Sequence, residues 1–99
     1  MTHTREQVLN TLQANRDAIA RYGVRRLGLF GSIVRGDSSA SSDLDFLVEF
    51  EHKSFDAYMD LKEFLESLFG CPVDLVLADS LKPRLRESIL KETVHAPGL

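Results

Sequence analysis

The segment Asp43-Leu44-Asp45-Phe46-Leu47-Val48-Glu49 constrains the fold more than any other stretch of the chain. Its alternation predicts a β-strand with Leu44, Phe46 and Val48 on one face and Asp43 and Asp45 on the other. Aspartate is disfavoured inside strands, so two of them at i and i+2 of an apolar strand ask for a reason. The same phase recurs in Val73-Asp74-Leu75-Val76-Leu77, a second strand with Val73, Leu75 and Leu77 inward and Asp74 on the opposite face. If the two strands are neighbours, three carboxylates share one surface. At an effective dielectric of about 20 and a spacing of about 5 Å, each pair repels by about 3 kcal/mol. That is a sizeable part of the roughly 5–15 kcal/mol that holds a small domain folded. A divalent cation removes the repulsion, and hard oxygen ligands suit Mg²⁺ or Mn²⁺. Each aspartate could instead be a solvated strand residue or a turn cap.

Around these strands the remaining elements follow from local chemistry. Thr4 and Gln7 read as a capping box opening a helix over residues 5–22, with Val8, Leu12, Ile19 and Tyr22 near helical spacing and Gly23 at its end. Residues 26–30 are short and mostly apolar, a strand bounded by Gly31. Residues 34–42 have a loop composition. Ser54 caps a helix whose Phe55, Tyr58, Leu61, Leu65 and Leu68 form an apolar stripe closed by Gly70. Asp79 or Ser80, then Pro83, open a last helix, and Thr93-Val94-His95 add a short edge strand. The order is an α/β (α+β) arrangement that favours a small mixed β-sheet with helices packed on one face, the aspartates on the other.

With 99 residues, no repeat and no linker, the chain is expected to form one domain, residues 1–99. A domain of this size has little core to spare and would hold a substrate in an open cleft. Cys71 is the sole cysteine, which excludes an internal disulfide and a cysteine-based metal site. No apolar run reaches the length of a bilayer span and no signal peptide opens the chain, so a cytoplasmic location is expected. A net charge of −3 argues against broad electrostatic binding of nucleic acid.

Gly31-Ser32 follows the 26–30 strand directly. Glycine admits a phosphate close to the backbone, and a following hydroxyl and N–H groups can bind its oxygens. If residues 33–35 begin a helical turn, their amides would point at the same anion. Alone, such a dipeptide is an ordinary strand-ending turn. Arg35 could contact phosphate or a partner, or pair with an aspartate such as Asp37. His3, His52 and His95 lack ligand spacing, Tyr58 belongs to an apolar stripe and Cys71 to a strand entrance. Lys82, Arg84, Arg86 and Lys91 read as a solvated face that could also meet an acidic partner. Asp37 and Glu49 add negative charge near the site without being assigned to a metal.

Gly31-Ser32, ten residues, then Asp43-Leu44-Asp45 resembles the DNA polymerase β-like nucleotidyltransferase superfamily. The fuller strings 31–37 and 42–48 resemble its minimal branch, which includes the antitoxin partners of HEPN toxins. The likeness runs from the first helix to Val94. It implies the polymerase β-like fold, with Gly31 and Ser32 holding the phosphates of ATP and Arg35 beside them. Asp43 and Asp45 would ligate two ions, Mg²⁺ or Mn²⁺. Asp74 would complete the site on the acceptor side and help activate the hydroxyl. The chain lacks a second domain to enclose an acceptor, which points to one supplied from outside. The resemblance therefore implies a protein adenylyltransferase that transfers AMP to a tyrosine of a cognate HEPN ribonuclease toxin, neutralising it within a hetero-oligomer. Two other functions stay open: an antitoxin that masks the toxin by contact alone, and nucleotide transfer to a small hydroxylated molecule.

Overall fold

The computed structural model describes residues 4–36 and 43–96. Its elements are α1 (Arg5–Ala14), α2 (Arg16–Ala20), β1 (Val24–Phe30), α3 (Ser32–Arg35), β2 (Leu44–Phe50), α4 (Phe55–Phe69), β3 (Val73–Leu77), α5 (Pro83–Glu92) and β4 (Val94–His95), with a 3₁₀ turn at Ala78–Ser80. The expected roles of His3 and Asp37, and the loop over 37–42, lie outside the described residues.

The predicted first helix is two. Its capping box forms as expected, Thr4 Oγ1 accepting from the Gln7 amide and Gln7 Oε1 from the Thr4 amide, both at 3.1 Å. It stops at Asn15, whose backbone leaves the helical region (ψ 17°) while its side chain donates to the Thr11 carbonyl at 2.8 Å. Asparagine competes with the helix ladder in this way, and the sequence pattern of apolar residues alone does not register it.

The sheet is mixed, with strand order β3-β2-β1-β4. The pair β1–β2 is antiparallel, β2–β3 parallel and β1–β4 antiparallel. Strand β1 begins two residues earlier than its apolar run suggests, because the register shifts between Val24 and Arg26. One extra residue there lets both Val24 and Leu27 face the core, at 8 % and 0 % exposure.

One face of the sheet is covered. Leu27 and Leu29 of β1, Phe46 and Val48 of β2, and Leu75 of β3 pack against Val8 and Leu12 of α1, Ile19 of α2, and Leu61 and Leu65 of α4. Helix α4 is anchored at its start by Ser54 accepting from the Ala57 amide, and at its middle by the Tyr58 hydroxyl donating to the Leu75 carbonyl at 2.7 Å. Tyr58 therefore serves the core side, as its place on the apolar stripe suggests. Helix α5 differs: none of its residues is buried. The last predicted helix thus starts at Pro83, after the 3₁₀ turn, and stays off the main core.

Candidate active site

The opposite face, on which Leu47 is also buried, carries the carboxylates. In the parallel pair Asp45 lies directly opposite Asp74, as Phe46 lies opposite Leu75, so the two aspartates project from the same side of adjacent strands. The matching phase read in the sequence thus becomes a contact surface. Asp43 precedes β2 and is exposed; it sits at the mouth of the strand rather than within its ladder. Asp45 is half-buried and Asp74 exposed. Burial, then the negative charges of Asp74 and Asp43, raise the Asp45 carboxyl above the ordinary aspartate range, with Arg35 working against them and Glu92 with them. Like charges that share a low-dielectric surface disfavour ionisation in this way.

Strand pairing also delivers the glycine turn. Phe30, the last residue of β1, is the register partner of Asp45, so Gly31 arrives beside that carboxylate. A Cβ placed on Gly31 would lie 3.0 Å from Cγ and 3.2 Å from Cβ of Asp45 and would overlap Oδ2 outright. The backbone there has φ 85° and ψ −154°, a conformation essentially reserved for glycine. Ser32 then opens α3, a single turn where a loop was expected from Val34 onward. The amides of Val34 and Arg35 are already used, donating to the Gly31 carbonyl at 3.1 and 3.3 Å. Of the amides expected to face an anion, those two are therefore engaged within the turn.

Arg35 pairs with Glu92, Nη1 to Oε1 at 2.5 Å, across 57 positions of sequence. Sequence reasoning missed Glu92. Its only trace was a charged residue directly before a short terminal strand, and it reaches the site because β4 returns antiparallel along β1. Neither exposed His52 nor exposed His95 joins a ligand cluster, and half-buried Cys71 has its thiol pushed up by burial and then by Asp43 and Glu66.

Among the described residues no group of three or more His, Cys, Asp or Glu is drawn together tightly enough to cage an ion. A cavity of about 660 Å³ is lined by Phe50, Ser54, Phe55, Tyr58, Leu75 and Leu77 among others, Leu75 being the residue after Asp74 on β3. Phe50 is five residues along β2 from Asp45, about 16 Å away. Among the described residues no helix is long and apolar enough to cross a membrane.

Residues 12–95 match the family model described as nucleotidyltransferase domain. The protein adenylyltransferase MntA of Thermococcus cleftensis is 42 % identical over 94 residues, covering 93 % of this chain and 95 % of that protein. Among solved structures, a minimal nucleotidyltransferase superposes with a TM-score of 0.73 at 44 % identity, covering 87 % of this chain and 93 % of the other. A crystal structure of a toxin–antitoxin with AMP-PNP gives a TM-score of 0.71 at 26 % identity, covering 92 % of this chain and 73 % of that one.

Proposed function

From the fact that this chain belongs to the nucleotidyltransferase domain family, we propose that it is an antitoxin acting on a tyrosine hydroxyl of a cognate HEPN toxin. The chain is a protein adenylyltransferase, and ATP supplies the AMP it transfers. The observation that carries the reading is the placement of Asp45 against Gly31 on one side and Asp74 on the other. A phosphate-binding turn and a carboxylate pair thereby share one surface, which a structural role for either would not require.

Asp43, Asp45 and Asp74 would hold the divalent cations. When bound, these neutralise charge on the triphosphate and stabilise the oxygens that enter and leave at the α-phosphorus. The chain's own groups do the rest. Gly31 admits the phosphate chain to the backbone, and the Ser32 hydroxyl donates to a phosphate oxygen. Asp74, exposed on β3, accepts the phenolic proton as the tyrosine oxygen bonds to the α-phosphorus. The bond between that phosphorus and the bridging oxygen breaks, and pyrophosphate leaves. The product phosphodiester places negative charge on the toxin where RNA would approach.

The toxin–antitoxin likeness and the relative named for adenylyl transfer to protein both support a proteinaceous acceptor. The test is incubation with the cognate toxin, Mg²⁺ and ATP, followed by intact mass. We expect an adenylyl adduct on the toxin, lost when its acceptor tyrosine becomes phenylalanine. Suppression of toxicity without any adduct would leave masking by contact as the function.

A further inference from the structure

We propose that Glu92 is a positioning residue of the nucleotide site: by binding Arg35 it aims that guanidinium at the triphosphate. The role rests on the function proposed above.

Two observations place Glu92 there. It forms a charge-assisted contact to Arg35, the last residue of the turn that Gly31 opens, and its side chain is only 25 % exposed where that of Arg35 is 56 % exposed. Its backbone is anchored immediately afterwards. Thr93 seats its Cγ2 over Gly28, in the space a side chain would take, while Val94 and His95 pair with Leu29 and Gly28 of β1. The Ala96 amide then donates to the Leu27 carbonyl at 2.9 Å. Glu92 is thus fixed to the same strand that carries the phosphate turn.

A guanidinium is a planar fork of donors, so a carboxylate bound at Nη1 sets the direction in which the whole group faces. The Glu92 contact holds the long side chain of Arg35 in place and so lowers the rotamer freedom it loses when a nucleotide binds. Because the effect falls on binding, it raises affinity for Mg²⁺-ATP rather than the rate of the bound complex.

Calorimetric titration with Mg²⁺ and α,β-methylene-ATP reads the role directly. Glu92→Gln should weaken binding about tenfold, the size of one charge-assisted hydrogen bond. KM for ATP should rise by a like factor while kcat stays within about threefold. Glu92→Asp should regain part of the loss, and Arg35→Gln should match it alone. The double variant Arg35→Gln/Glu92→Gln should be no worse than either single one, as coupled partners require. Glu87→Gln, which removes the 3.3 Å pair with Lys91 on the same helix, should bind as wild type and so separates this effect from loosening of α5. Wild-type affinity in Glu92→Gln, or simple additivity in the double variant, overturns the role. A wild-type chain that binds no nucleotide removes the proposed function and this role together; one that binds, beside a Glu92→Gln chain that binds equally well, removes this role alone.

Discussion

Replacing Gly31 with alanine applies two separable perturbations at once. The first is conformational: φ 85° with ψ −154° lies where a Cβ is strained, at a cost of about 1–3 kcal/mol. The second is a collision with Asp45, whose Cγ would be 3.0 Å from the new methyl and whose Oδ2 would overlap it. Relief requires the carboxylate to rotate off the turn or the turn to lift from β2. Either movement displaces reacting groups by about 1 Å, enough to cost about 100-fold in rate. Gly23→Ala separates the two, since Gly23 also has positive φ (83°) but nothing within 4 Å of the added Cβ. Both variants should lose stability on the scale of backbone strain, about 1–2 kcal/mol for Gly23→Ala, read as urea midpoints. Only Gly31→Ala should also lose adenylyl transfer. Transfer in Gly31→Ala within about threefold of Gly23→Ala would refute the claim that Asp45 needs the space beside Gly31.

Three further outcomes follow from the carboxylates. Asp43→Asn and Asp45→Asn should each abolish transfer while leaving far-ultraviolet dichroism unchanged; for Asp74→Asn, transfer should fall while Mg²⁺-nucleotide binding by calorimetry survives. Full activity in any of the three would remove that residue from the site. Asp45 holds its proton more tightly in the folded chain than in the unfolded one. Its contribution to stability is therefore whole below about pH 4 and lost as pH rises through the lifted folded range. Melts recorded without divalent cation should fall over that span for wild type and fall less for Asp45→Asn, and identical pH profiles would count against the burial and repulsion argued for Asp45. Chelation with EDTA should stop transfer and leave the fold intact, with Mg²⁺ or Mn²⁺ restoring it; activity that survives chelation would exclude a metal-dependent mechanism.

Much of the architecture was legible because period and capping are local. The phases of 43–49 and 73–77 placed their apolar residues on the core face and Asp45 and Asp74 on the other, and the parallel register made them opposite partners. The capping box at Thr4 and the Ser54 cap needed only neighbours three residues away. What was not legible depends on competition or return of the chain. The Asn15 break is a contest between a side chain and the ladder that apolar spacing cannot see. The shift near Arg25 is visible only once β2 is alongside. Glu92 is beyond any pattern argument, since its approach to Arg35 is set by β4 pairing with β1 far along the sequence.

The three carboxylates are unequal, and the inequality bears on where an acceptor enters. Asp45 belongs to an interior strand, half-buried against Gly31, within reach of the charges of Arg35 and Glu92. On the function proposed above, the triphosphate lies on that side. Asp74 stands on β3, the edge of the sheet, and is exposed. A cavity of about 660 Å³ lined by Phe50, Tyr58, Leu75 and Leu77 among others lies where Tyr58 of α4 meets β3. On the function proposed above, the hydroxyl comes in over the edge strand, carried by a partner that brings its own binding surface. A protein loop bearing a tyrosine meets that demand, because affinity comes from the surrounding interface and the reacting group needs only to reach Asp74. On that proposal the nucleotide side is built into β1, β2 and the C-terminal return, and the acceptor side is left to the edge.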